Sequence, residues 1–535
     1  MALRDDRKCI AGIGHSRGLH RVGQHRRALD ARAGRQPLIK GGTVQMKNYA
    51  TAHELLRLLR HGEISSVEVL QNQLARISAV DPIINAVAVL DAERALLRAA
   101  EADAARARGR SLGPLHGLPI TVKESFDVAG LPTTWGYEAF RTNIATCHAA
   151  AVQRLVDAGA IIFGKTNVPV SLADWQTFNP VYGTTSNPWD ATRVPGGSSG
   201  GSAAALAAGY TSLELGSDIG ASIRNPAHYC GVYGHKPTWG LVPMDGHALP
   251  GIACMNTVDI GVAGPMARSA HDLELAMDVL TSPGHCFGSH GWQDARWRDR
   301  SPPVEGLRIA VVADDPVARV DSVIVSRLQE LAAFLRSEVA FVSENHRPVD
   351  SRETRAVYLH LVRAATGAFL SDEAYDVARR TTSLLDPADM SYRACHYRGS
   401  TLTHRDWFAF DQRRSKLRTQ WNQFFSDYDL LICPVATTTA FAHNQKGERW
   451  ERMLDVNGQP QESTDSMFWA GYPGVVGLPA TAVPLGRGAR GLPFGAQIIA
   501  PAFGDFAALR FAQWLAREWY EFQAPELLAP VEQAA

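Results

Sequence analysis

Gly216-Ser-Asp-Ile-Gly-Ala-Ser-Ile-Arg-Asn-Pro-Ala227 decides the reading of this chain, together with Gly196-Gly-Ser-Ser-Gly-Gly-Ser202 shortly before it. Each sets a serine, Ser222 or Ser198, among small residues. Small neighbours let backbone N–H groups converge beside a hydroxyl, which is what stabilising an oxyanion demands. Upstream, Lys123 lies in Gly117-Leu-Pro-Ile-Thr-Val-Lys-Glu-Ser125, 75 residues before Ser198, and Ser222 follows Ser198 by 24. A serine is a poor nucleophile until a positioned base takes its proton. Lysine is such a base only when neutral, so its pKa must fall from ~10.4 to near 7. That fall is worth about 4 kcal/mol and is normally supplied by burial. The apolar run Leu118–Val122 reads as a buried strand able to supply it. A base, a relay hydroxyl and a glycine-flanked nucleophile point to acyl transfer at an amide or ester, with no need of histidine, metal or cofactor.

These segments resemble the amidase signature family, serine hydrolases with a Ser–cisSer–Lys triad. The resemblance extends to Gly164-Lys-Thr-Asn-Val-Pro169, Gly183-Thr-Thr-Ser-Asn-Pro-Trp189 and Gly234-His-Lys-Pro-Thr-Trp-Gly-Leu-Val-Pro243. It continues in Gly477-Leu-Pro-Ala-Thr-Ala-Val-Pro484 and Gly491-Leu-Pro-Phe-Gly-Ala-Gln-Ile-Ile499, so it runs from about Met46 almost to the end. It implies Ser222 as nucleophile, Ser198 as bridging serine after a cis Gly197–Ser198 bond, and Lys123 as base. The amides of Ile219, Gly220, Ala221 and Ser222 would hold the oxyanion, while Asp218 and Arg224 would brace the loop. Leu172 and Trp175 fall, by motif position, in the segment that lines the acyl pocket. Two positions depart from the pattern. Ala221 stands where glycine is common, and a methyl disfavours positive φ, so the loop is expected to keep ordinary backbone angles and a narrower pocket. Val170 replaces an acidic or polar residue, which alters the pocket and not the triad.

The implied fold is α/β, one large domain over residues 46–535 with a mixed β-sheet covered by helices on both faces. The implied function is an amidase cleaving a small-molecule carboxamide, and esters as a further class, to a carboxylate and ammonia or amine. Few charged residues stand near the motifs, so an apolar acyl group is expected. The alternative is the amidase component of a tRNA-dependent amidotransferase complex that releases ammonia from glutamine. A catalytically silent binding protein is disfavoured by retention of Lys123, Ser198 and Ser222. A homodimer follows from family habit alone.

Composition bounds the rest. The chain has 535 residues, 45% hydrophobic and 20% charged, which suits an ordinary globular protein. No run approaches the roughly 18 apolar residues of a membrane span. Seven scattered cysteines (9, 147, 230, 254, 286, 395 and 433) fit reduced thiols and a cytoplasmic location. His285, Cys286 and His290 read as a loop coincidence rather than a zinc site. The zero net charge hides an asymmetry: residues 1–45 carry ten Lys/Arg against three Asp/Glu, and the remainder 44 against 51. The body therefore offers no basic surface for nucleic acid. The basic segment 1–45 is expected to be a disordered extension or residues upstream of the true start, with a targeting peptide the lesser reading.

Along the chain, Ser65-Ser66 signals a helix start, 91–109 a helix, and Val152, Leu155 and Val156 a helix ended by Gly159 before a buried strand at 160–163. Residues 202–208 form a helix of small residues suited to packing behind Ser198. Strands follow at 307–312, 339–342 and 430–433, with helices at 321–336, 352–382 and 404–427. A final helix carries Ala508, Phe511, Ala512, Leu515 and Trp519 on one face. Residues 283–305 read as a surface connection, and 344–470 as the variable part that covers the site. Gly196-Gly-Ser-Ser-Gly200 also satisfies the Gly-x-Ser-x-Gly nucleophile elbow, but Thr192-Arg-Val-Pro195 is a poor strand and no later histidine stands out.

Overall fold

The computed structural model describes residues 48–252, 258–281 and 302–526. The basic segment 1–45, most of the connection at 283–305 and the His285, Cys286 and His290 group lie outside the described residues.

The strands, in chain order, are β1 (Val87–Leu90), β2 (Pro119–Lys123), β3 (Ile161–Thr166), β4 (Phe178–Asn179), β5 (Gly183–Thr184), β6 (Leu213–Asp218), β7 (Tyr233–Lys236) and β8 (Val262–Ala267). They continue as β9 (Arg308–Val311), β10 (Phe341–Glu344), β11 (Leu430–Pro434), β12 (Met453–Val456), β13 (Gln459–Glu462), β14 (Ala480–Arg487) and β15 (Pro493–Ile499). Eight of them form a sheet in the order β10-β9-β11-β15-β14-β7-β8-β6. Its β10–β9 and β9–β11 pairs are parallel and the others antiparallel, so the sheet is mixed. Every residue of β6, β7, β8, β11 and β15 is buried. A strand buried at successive residues has both faces covered, and helices supply the cover, as expected from the sequence.

Beside this sheet lies a second that the sequence did not foretell, in the order β1-β3-β2. There β2 runs parallel to β3 and pairs Lys123 with Thr166. β2 packs against β6 of the large sheet, which brings the end of one sheet to the end of the other.

Local signals placed most helices. Ser65 caps the helix Ser66–Ile84, and Glu68 closes a capping box with it. Gly200–Ala207 is a helix of wholly buried small residues. The single helix expected over 352–382 is instead two, Ser351–Gly367 and Asp372–Leu384. The break has a packing cause: a Cβ on Gly367 would lie 2.9 Å from Ser400 Cα and O, so only glycine permits the contact. Ser371 then caps the second helix through the Ala374 amide. The strand expected at 339–342 forms two residues later. The described cysteines, exposed Cys147 and buried Cys230, Cys395 and Cys433, are free thiols. No described helix is long and apolar enough to cross a membrane.

Candidate active site

Lys123 closes β2, a strand buried at every residue. Its Nζ donates to Ser198 Oγ at 2.7 Å and to Ser217 Oγ at 2.9 Å, with the Ser217 carbonyl at 3.5 Å. Burial pushes its pKa down from 10.5 to about 7, against the opposing charges of Asp218, Glu124 and Glu214. The amine is thus poised to shed its proton near neutrality, as a general base requires. Ser217 is a partner that sequence reasoning missed, although it sits inside the quoted Gly216–Ala227 stretch.

Ser198 opens the turn into the helix Gly200–Ala207 and follows a cis Gly197–Ser198 peptide bond. The Ser199 N–H donates to the Ser222 carbonyl at 3.0 Å, tying the two serine segments together. Ser198 and Ser222 line one pocket, and no hydrogen bond joins their hydroxyls.

Between β6 and the helix Arg224–Cys230 runs the loop that carries Ser222. Asp218, at the end of β6, organises it. Its Oδ1 accepts the Ala221 N–H at 2.9 Å and its Oδ2 the Ile223 N–H at 3.1 Å. Arg224 Nη2 and Nε reach the same two oxygens at 2.9 and 3.0 Å. Burial alone would raise the carboxyl's pKa, but Arg224, Lys236 and the loop amides outweigh it and hold Asp218 below the usual carboxylate range. Arg224 is in turn fixed by Gln497 Oε1 at 2.9 Å and the Ala470 carbonyl at 3.1 Å.

The loop corrects one expectation. Ala221 does not keep ordinary angles: its φ is +66°, a region costing an alanine about 1–2 kcal/mol. The hydrogen bond to Asp218 and complete burial hold it there. That bond also commits the Ala221 amide, so of the four expected oxyanion donors only Ile219, Gly220 and Ser222 keep N–H groups with no acceptor among the described residues. Their carbonyl sides are pinned: Tyr358 Oη donates to the Ile219 carbonyl at 3.0 Å and Trp175 Nε1 to the Gly220 carbonyl at 2.8 Å. Trp175 thus both lines the pocket and aims a peptide plane. Leu172 lines the pocket too, at φ +56°.

The pocket takes apolar walls from Leu172, Trp175, Ile219, Val362, Phe369 and Phe441. The segment 344–470 contributes several of these, as the sequence suggested. It also brings three arginines that the motifs did not reveal, Arg363, Arg449 and Arg452, so the site is more highly charged than expected. His228 and His235 do not line it; their rings bond to Gly495 and Thr438, and to Thr481 and Asp505. His247 does line it, bonded to Ser125 Oγ at 3.0 Å. Burial, then the Lys123 charge, lowers its pKa to about 3, which keeps it neutral and leaves Lys123 the better base.

The family model described as Amidase matches residues 68–509. The amidase-type polypeptide of a glutamyl-tRNA(Gln) amidotransferase from Picosynechococcus sp. is 32% identical over 490 residues, covering 87% of this chain and 97% of its own. An acylamidase from Rhodococcus erythropolis is 32% identical over 473 residues, covering 88% and 95%. The crystal structure of an amidase superposes with a TM-score of 0.70 at 29% identity, covering 88% of this chain and 99% of its own.

Proposed function

The chain belongs to the amidase family, and from that premise we propose that it hydrolyses a small carboxamide through an acyl-enzyme on Ser222. The observation that carries the reading is the 2.7 Å contact between Lys123 Nζ and Ser198 Oγ, made by a lysine whose pKa is depressed to about 7. Neutral Lys123 accepts the Ser198 proton as Ser198 takes that of Ser222. Ser222 Oγ then bonds to the substrate carbonyl carbon, and the carbonyl oxygen takes the negative charge. The unbonded amides of Ile219, Gly220 and Ser222 stabilise that oxyanion. Each such donor is typically worth 10²–10³ in turnover. As the C–N bond breaks, Ser198 returns a proton to the leaving nitrogen and is resupplied by Lys123. Water repeats the sequence on the ester, releasing the carboxylate and restoring Ser222.

The same chemistry on glutamine, with ammonia passed to a partner, is the second reading, favoured by the 32% identity to the amidotransferase polypeptide. Incubation of the purified chain with a fluorophosphonate probe, peptide mapping and hydrolysis of an amide panel test both. Label on Ser222, lost in Ser222→Ala and nearly lost in Lys123→Ala, together with hydrolysis by the isolated chain, is the expected result. Label on Ser198 would overturn the assignment of the nucleophile. Glutamine turnover only with a partner present would select the second reading.

A further inference from the structure

Three arginines reach the pocket, but only Arg452 is neutralised there, by Asp174 at 2.5 Å. Arg363 is the exception that calls for explanation. It lies on the helix Ser351–Gly367 and is only 6% exposed. Its Nη2 donates to the Tyr392 hydroxyl and lies 3.9 Å from Met467 Sδ. Its Cζ sits 5.3 Å from the centroid of the Tyr392 ring. Its Nε is buried without an acceptor, and among the described residues no carboxylate pairs with it. Arg449, half-buried on the same wall, makes no side-chain hydrogen bond or ion pair among the described residues and adds a second positive charge. Buried charges are normally paired and hydrogen-bonded, because desolvating them alone is costly. A buried guanidinium with an orphaned Nε, facing a cavity and crowded by a like charge, is a site built for an anion that arrives from outside.

We propose that the substrate carries a carboxylate, gripped by Arg363 with Arg449 completing the charge, so that the enzyme selects acidic amides. This rests on the Ser222 acyl-enzyme reading above, and it replaces the expectation of a purely apolar acyl group. The planar guanidinium fork matches a carboxylate, and charge-assisted bonds of this kind are the strong ones. Geometry limits the linker. Met467 alone bridges the gap: its Sδ is beside Arg363, and its Cε is 3.3 Å from where a Cβ on Gly220 would stand. Tyr358, five residues before Arg363 and so about 7.5 Å back along the helix axis, holds the Ile219 carbonyl of the oxyanion loop. The carboxylate therefore lies a few bonds from the scissile carbonyl, with Val362 and Phe369 against the intervening methylenes. Monoamides of short dicarboxylic acids have this form.

The test compares glutaramate with pentanamide, a neutral amide of equal chain length, using the full chain. Wild type should favour glutaramate at least tenfold in kcat/KM. Arg363→Gln should cut that preference toward unity, chiefly through a roughly 10- to 100-fold rise in KM for the acid, as expected for loss of a charged hydrogen bond. Arg449→Gln should reduce it several-fold. Thermal unfolding reports whether each variant folds; should Arg363→Gln fail to, Arg449→Gln and Arg363→Lys carry the comparison. Equal use of the two amides by an enzyme labelled at Ser222 overturns the carboxylate site and leaves the catalytic reading intact. Absence of label at Ser222 removes the catalytic reading, and calorimetric binding of glutarate then decides the anion site alone. Tight binding lost in Arg363→Gln upholds it, and indifference between glutarate and pentanamide sinks it.

Discussion

Lys123 must lose a proton before it can take one, and that sets a pH profile. Burial brings its pKa from 10.5 to about 7, roughly 5 kcal/mol of disfavour for the ammonium form relative to water. The neutral fraction is then about 1% at pH 5, half at pH 7 and about 99% at pH 9. Acylation of Ser222 should rise close to tenfold per pH unit below 7 and flatten above 8, giving about 50-fold between pH 5 and 7. The assay is the pseudo-first-order rate of fluorophosphonate labelling, corrected for probe hydrolysis at each pH. Lys123→Arg keeps a cation that cannot deprotonate in this range, so the rate should collapse with no recovery up to pH 9. A wild-type profile flat from pH 5 to 9, a midpoint near 10, or an active arginine variant would each refute the reasoning. The same depressed pKa carries a stability signature. Between about pH 7 and 10 the unfolded lysine holds a proton that the folded one has shed, so this group's contribution favours folding increasingly as pH rises through that window.

Ala221→Gly relieves a left-handed alanine and should raise the denaturation midpoint by an amount equivalent to about 1 kcal/mol. Arg224→Met leaves the Asp218 carboxylate buried without its partner; a loss of about 3–5 kcal/mol and of Ser222 labelling is expected, read by chemical denaturation and probe kinetics. Trp175→Phe deletes the 2.8 Å bond to the Gly220 carbonyl. It should cost about 1 kcal/mol in stability and lower kcat severalfold, since a donor peptide plane is freed to turn. An unchanged kcat would show that Trp175 only fills space.

What was legible in the sequence was local. The buried run before Lys123, the glycines around Ser198 and the small residues at Ser222 each state their requirement within a dozen residues. The base, its relay and the loop could therefore be picked out before any fold was known. The positive φ of Ala221 could not be, because it is imposed by Asp218 and the packing around it, against the residue's own preference. Tyr358, Arg363 and Arg449 were invisible for a different reason. They lie more than a hundred residues from Ser222, in segments with no motif, and the chain's return over the pocket is what gives them a role. The split of the helix expected at 352–382 depended on Ser400 approaching Gly367, again a contact between distant parts. Ser371, followed by Asp372 and Glu373, was the one available hint.

The base and its partners are mounted on different frames. Lys123 ends a strand of the three-stranded sheet, whereas Ser217 and Asp218 end the outermost strand of the eight-stranded one. A hydrogen bond weakens steeply once its partners part beyond about 3.2 Å, so a slip of one sheet along the other by less than an atom's width disconnects Lys123 from Ser217. Neither sheet need lose a single internal bond for this to happen. Turnover in this enzyme is thus a vernier on the seam between its sheets, and it reads zero while both sheets are still whole.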